Sequence, residues 1–324
     1  MGNVLSTRNL STSDNTIPLL LLNHLHRNNL IWKMEYMREL RGRSICEHSQ
    51  SQANTVEASS VEMLSINVSN ITTNRRKNRY QCVPCFHHSR VVLSTSADTS
   101  KLAYIDANYI DGFELEKKFI ATQAPKSGKD VTDFYNMIWE NKCKIIVVLA
   151  NFFENKNNKF YPYWPMSVGF EMYGKYKLCT TRISNNGTHV KFFLLIENTT
   201  TTRRPRSISL FHYLNWPQHG VPLKIHDFIS FFLKINVEAL GHFFTSPRMG
   251  PIVVHGNAGV GRTGTFCALD VCFEEWHKTH VTNVLDTVKR IRRQRYMSVT
   301  TADQYAFIFR TLEILQKWNI PLKY

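Results

Sequence analysis

Val253-Val254-His255-Gly256-Asn257-Ala258-Gly259-Val260-Gly261-Arg262-Thr263-Gly264 carries an apolar run into a glycine-containing loop and then into the first turn of a helical pattern. A strand, loop and helix joined in this way aim successive backbone N–H groups and the positive helix end at one point. That arrangement binds phosphate without side-chain charge. Gly256, Asn257, Ala258, Gly259, Val260 and Gly261 would supply the loop, and Arg262 could grip two phosphate oxygens in bidentate fashion. The same residues fit an ordinary strand–turn–helix corner with a surface arginine, and the segment alone leaves both readings open.

The flanking sequence has the pattern of an α/β (α+β type) domain. Lys144–Ala150 and Pro251–His255 are short continuous apolar runs, as expected of strands buried on both faces. Thr188–Ile196 and Ser207–Leu214 read as longer strands, the second alternating through Ile208, Leu210, His212 and Leu214. Helical periodicity covers roughly 130–141, 224–238, 262–278, 281–294 and 301–317. These elements predict a twisted mixed sheet flanked by helices on both faces.

Composition narrows the partners. Of 324 residues, 40 are Lys or Arg and 25 Asp or Glu, a formal charge of +15, while 43% hydrophobic residues suffice for a sizeable core. Residues 1–74 contain six basic and six acidic side chains, so the whole surplus lies in residues 75–324. A basic N-terminal arm for nucleic acid is not expected, and the surplus points to an anionic partner of the folded body: nucleic acid, a membrane, or an acidic or phosphorylated ligand. Domain boundaries follow the same division: an N-terminal extension over 1–74, part helical and part polar linker, and a folded domain over 75–324.

Beyond the loop, a series of blocks occurs in a fixed order. They are Lys77-Asn78-Arg79-Tyr80, Ser89–Leu93, Ala107–Gly112, Ile120–Pro125, Tyr163-Trp164-Pro165, Trp216–Pro222 and Asp303-Gln304-Tyr305. With V-H-G-N-A-G-V-G-R-T-G they resemble the protein tyrosine phosphatases, whose signature is H-C-x-A-G-x-G-R-[ST]-G. The resemblance runs over about residues 75–320. It implies the single phosphatase domain, with Tyr80 setting the depth at which phosphotyrosine enters and Gln304 on the loop beside it.

The one mismatch in the signature falls where active members place their cysteine nucleophile, here Gly256. A glycine has no side chain to attack phosphorus. The family's general acid, the aspartate after Trp-Pro, corresponds to Gln218, an amide that cannot release a proton. The first glutamine of the 300–304 loop corresponds to Thr300, and Cys82 stands where the family has a peptide-binding aspartate. No intact catalytic residue remains among these positions. The resemblance therefore implies a pseudophosphatase that binds phosphotyrosine-containing proteins without hydrolysing them. The alternatives are a scaffold that no longer binds phosphate, or a phosphatase with residual activity.

The degenerate signature and the short polar extension look like the phosphatase-like proteins of polydnaviruses (bracoviruses) of parasitoid wasps. That group has active and inactive members that act in the host cell, which implies interference with host signalling from the cytoplasm. Met1-Gly2-Asn3-Val4-Leu5-Ser6 fits the N-myristoylation pattern at Gly2, and one acyl chain would give weak membrane association. A helix over 19–41, with Leu30, Ile31, Met34, Met37 and Arg41 near helical spacing, is expected to pack on the body.

Seven cysteines, odd in number and thinly spread, do not form a disulfide framework and suggest a reducing compartment. Cys82-Val83-Pro84-Cys85-Phe86-His87-His88 suggests zinc, but its spacing is too tight for a tetrahedron, so no metal and no cofactor are expected. The run Lys289–Arg295 reads as a solvated helix face that draws acidic peptides to the pocket rather than nucleic acid. A monomer is expected.

Overall fold

The computed structural model describes residues 19–40, 72–94, 103–154, 157–158, 160–218, 220–245 and 249–318. Nine strands form one sheet: β1 Arg90–Leu93, β2 Ala103–Ile110, β3 Phe119–Thr122, β4 Ile145–Val148, β5 Gly169–Tyr173, β6 Tyr176–Asn185, β7 His189–Asn198, β8 Arg206–Tyr213 and β9 Ile252–His255. Their spatial order is β1-β2-β3-β9-β4-β8-β7-β6-β5. The central four, β3, β9, β4 and β8, are mutually parallel, and every other pairing is antiparallel. The carboxyl ends of the central four therefore open on one edge, the usual place for a ligand in such sheets.

The predicted alternation of Ser207–Leu214 is not expressed. From Ile208 to Tyr213 every residue of β8 is buried, because the strand lies between β4 and β7 with both faces covered. Besides the single turn Thr72–Arg75, the helices among the described residues are α1 Leu19–Glu39, α2 Gly128–Glu140, α3 Ile225–Thr245, α4 Gly261–Thr279, α5 Val284–Gln294 and α6 Ala302–Trp318. One core, with Phe228, Phe232, Phe266, Leu269 and Phe307, lies under α3 to α6. The other, with Phe134, Ile138, Tyr163, Trp164 and Tyr176, lies on the opposite face beneath α2. Caps fix where the helices begin: the Ser127 hydroxyl accepts from Asp130 N–H at the start of α2, and the Asn283 side chain from Asp286 N–H at the start of α5.

Helix α1 does pack on the body, but through another face than the sequence suggested. Trp32 stacks on Phe309 at 4.7 Å between centroids, Tyr36 and Leu40 are buried, and the Tyr305 hydroxyl donates to Glu35. Leu30, Ile31, Met34 and Met37 are exposed. Trp32, Tyr36 and Leu40, at i, i+4 and i+8, pack beside α6 and leave the aliphatic stripe outside. Arg41, residues 1–18 with the Gly2 motif, and most of the polar linker lie outside the described residues.

Candidate active site

The phosphate loop leaves β9 between β3 and β4 and enters α4 at Gly261. Gly259 has φ +69, and a β-carbon there would stand 2.2 Å from the Thr122 carbonyl oxygen. Only glycine suits that left-handed turn and that approach to the end of β3. Val260 precedes the helix without a side-chain cap, so the first-turn amides are not covered by a capping side chain. Arg262, 6% exposed, donates from Nη1 to the Leu149 carbonyl at 2.9 Å, which fixes its guanidinium against the end of β4.

Two buried side chains hold the loop in shape. Arg295, fully buried, donates to the carbonyl oxygens of Ala258 (2.9 Å) and Gly259 (3.1 Å), and to Asp106 (2.5 Å) and Asn108 (2.9 Å). Engaging these carbonyls orients the loop's peptide units with their oxygens toward Arg295. Burial works against the guanidinium charge, but Asp106 outweighs it and holds the pKa above its usual value. On the other side His255 lies 3.0 Å from the Gly256 carbonyl through Nδ1 and 2.5 Å from the Tyr163 hydroxyl through Nε2. A carbonyl only accepts, so Nδ1 carries the proton and Nε2 accepts from Tyr163. Burial lowers the His255 pKa to about 4, so at neutral pH it orders the loop without adding charge.

Gly256 behaves differently from Gly259. Its N–H donates to Thr263 Oγ1 at 2.9 Å, and a β-carbon built on it would meet Arg262 and Thr263 atoms only at 3.7 to 3.8 Å. Nothing in the packing therefore requires glycine here. Cys267, the nearest thiol in the following helix, is fully buried, and burial pushes its pKa well above the usual thiol range, so it cannot substitute as a nucleophile.

Thr300 and Gln304 lie beside this loop. Gln304 is buried, and its Oε1 accepts from both the N–H (3.0 Å) and hydroxyl (3.1 Å) of Thr300. Both residues abut the start of α4, since a β-carbon on Gly261 would meet Thr300 Oγ1 at 2.5 Å and Gln304 Nε2 at 3.0 Å. Tyr80 is 39% exposed on a loop tied down by Gln123, Ala124 and Pro125 through Arg79. Ala124 N–H in turn donates to the Asn257 carbonyl, which links that loop to the phosphate loop. Gln218 follows β8 on the same edge of the sheet, where Trp216 is buried and its Nε1 donates to the Gly220 carbonyl at 2.9 Å.

The family of protein-tyrosine phosphatases matches residues 74–313. The chain belongs to the protein-tyrosine phosphatase family. It is 33% identical over 276 residues to tyrosine phosphatase H2 of Microplitis demolitor bracovirus, spanning 82% of this chain and 81% of that one. To tyrosine phosphatase-like protein J1 of the same virus it is 32% identical over 254 residues, 76% and 83% of the two chains. Mouse tyrosine-protein phosphatase non-receptor type 9 is 34% identical over 246 residues, but the match spans only 41% of that longer protein.

Within this phosphatase frame two expectations change. The basic run at the end of α5 is not a solvated face throughout: Arg295 is buried under the phosphate loop, and Arg292 donates to the carbonyls of Leu40, Ser298 and Val299. The clue to Arg295 lay in the spacing, because it extends the buried stripe Val284, Val288 and Ile291. The cysteines also divide. Cys82 is disulfide-bonded, which the expectation of a reducing compartment did not anticipate, while Cys85, Cys143, Cys179, Cys267 and Cys272 are free. The residues of the C-x-x-C-x-H-H segment serve different partners. The Cys85 thiol, pushed up to about 12 by burial, faces the Ala107 carbonyl, and His88 lies 2.8 Å from the Arg293 carbonyl. Among the described residues no helix is long and apolar enough to cross a membrane.

Proposed function

We propose that this chain is a pseudophosphatase that captures phosphotyrosine-containing proteins and holds them without hydrolysis. The observation that carries the reading is the difference within one loop: its phosphate cradle is braced by Gly259, Arg295 and His255, while Gly256 offers no nucleophile in a place with room for one. The loop amides and Arg262 would bind the phosphate oxygens, Tyr80 would line the aromatic ring, and Gln304 would close the side of the pocket. A thiolate at residue 256 would repel the phosphate dianion, so its replacement by glycine favours retention. Gln218 at the acid position removes the proton donor that a leaving tyrosyl oxygen needs.

On this reading a phosphoprotein of host-cell signalling would be withheld from other readers; the likeness to bracovirus proteins supports a viral source. Calorimetry with phosphotyrosyl peptides tests the reading, alongside a turnover assay with an aryl phosphate. Binding that is lost on Arg262→Ala, with no phosphate released by the unaltered protein, is the expected result. A folded protein that binds no phosphopeptide at millimolar concentration would leave the scaffold reading in its place.

A further inference from the structure

Helix α1 has two faces with different occupants. One is committed to the body through Trp32 on Phe309, Tyr36 near Tyr305, Glu35 accepting from Tyr305, and the ion pairs Lys33–Asp303 (2.5 Å) and Lys289–Glu39 (3.2 Å). The other carries Leu30, Ile31, Met34 and Met37 at 57%, 60%, 64% and 45% exposure. Their spacing of one, three and three residues places them on a single stripe. Single exposed apolar residues are ordinary, but four contiguous ones on a helix already anchored elsewhere form an interaction surface. None of the four takes part in the anchoring contacts, so the stripe is not a by-product of docking.

The sequence specifies what would cover it. The myristoylation pattern at Met1–Ser6 precedes α1 on the same extension. A single myristoyl chain binds membranes only marginally, with a partition constant of roughly 10⁴ M⁻¹, and stable attachment needs a second signal. Residues 1–74 have no net charge, so that second signal is not a polybasic segment of the extension. We propose that the outward stripe of α1 is a membrane-contact face that acts together with an acyl chain on Gly2 to hold the protein on a lipid surface. The four side chains would enter the headgroup–acyl boundary with the helix lying flat. Because α1 is clamped to α6, which bears Gln304, the bilayer would lie on the side of the domain that carries the glutamine loop.

Co-sedimentation of the full chain with vesicles tests this, using protein made with and without N-myristoyltransferase. Vesicles of phosphatidylcholine alone and of phosphatidylcholine with phosphatidylserine would separate apolar insertion from charge. The variant Leu30→Gln, Ile31→Gln, Met34→Gln, Met37→Gln alters only exposed positions and should keep the melting temperature. The expected result is binding by the acylated protein to both vesicle types, falling about tenfold or more in the glutamine variant and again in Gly2→Ala. Equal binding by the acylated variant and the acylated parent would overturn the proposal. So would failure of the acylated parent to bind, or a parent dimer in light scattering that the glutamine variant dissolves, which would make a second copy the occupant.

Discussion

Two glycines three residues apart in the phosphate loop stand in opposite circumstances. At Gly259 the backbone is left-handed and a β-carbon would overlap the Thr122 carbonyl; at Gly256 a β-carbon would make only ordinary contacts. The first glycine is demanded by geometry, whereas the second is a chemical difference that geometry does not explain. The contrast extends across the pocket. Residues that shape the backbone, such as His255, Gly259 and Arg295, are those expected of a working phosphate site. Of the departures that the resemblance implies, Gly256, Gln218 and Thr300 fall where bonds or protons would be exchanged, and Cys82 falls at a peptide-binding position. A pocket can therefore keep its binding surface while its chemistry is removed, because the two depend on different side chains.

The strongest attempt to break this contrast restores the chemistry. Gly256→Cys with Gln218→Asp should give a chain that hydrolyses aryl phosphates, where the proposed function predicts none for the parent. The double variant should exceed Gly256→Cys alone by about 10²–10⁴ in rate, the usual contribution of a general acid. Because Thr300 replaces the glutamine that would help place the hydrolytic water, release of one equivalent of phenol followed by slower turnover is expected in stopped-flow traces. Absence of any burst in a folded double variant would show that the cradle is not competent and that the two halves of the pocket are both altered.

Removing the brace attacks the other half. Arg295→Leu leaves Asp106 buried without its cation and frees the carbonyls of Ala258 and Gly259, so a loss of about 3–5 kcal/mol is expected in denaturant unfolding. Gly259→Ala should cost about 2–4 kcal/mol, from the left-handed backbone together with the overlap at Thr122. Both variants should also lose phosphopeptide binding. A Gly259→Ala protein as stable as the parent would mean that the loop can relax away from β3.

These residues also show how far the sequence could be read. The buried runs at 144–150 and 251–255 located the central strands, and the glycines and Arg262 located the loop, because continuous apolar letters and special backbone positions leave a local trace. Arg295 left a weaker one. It belongs to a run of charges whose exposure is settled by tertiary contacts with Asp106, Asn108 and two loop carbonyls, none adjacent in sequence. The orientation of α1 was misread for a similar reason. Leu30, Ile31, Met34 and Met37 form as plausible a stripe as Trp32, Tyr36 and Leu40, and only the shape of the α6 surface chooses between them.

Acid provides a subtler test of the brace. His212 and His255 are both lowered to about 4 by burial, against an ordinary value near 6.5. Below about pH 6.5 the unfolded chain takes up protons that these native imidazoles refuse, so stability falls as pH drops from 6.5 toward 4. Each imidazole should account for about 2 kcal/mol of loss by pH 5, read from melts across that interval. NMR titration should show both rings still neutral at pH 5. Ordinary titration of His255 near pH 6.5 would place it outside the bonded pair with Tyr163 and Gly256.

Gly256→Ala should do least. Its added methyl would sit at 3.7 to 3.8 Å from Arg262 and Thr263 atoms, and no positive φ opposes it, so stability should change by less than about 1 kcal/mol. Phosphopeptide affinity should likewise stay within a few-fold, since neither the loop amides nor the Arg262 guanidinium is displaced. The same methyl three residues later is expected to unsettle the whole loop. If alanine at 256 proved as damaging as alanine at 259, Gly256 would be a second geometric requirement, and its replacement of the nucleophile would have a structural rather than a chemical cause.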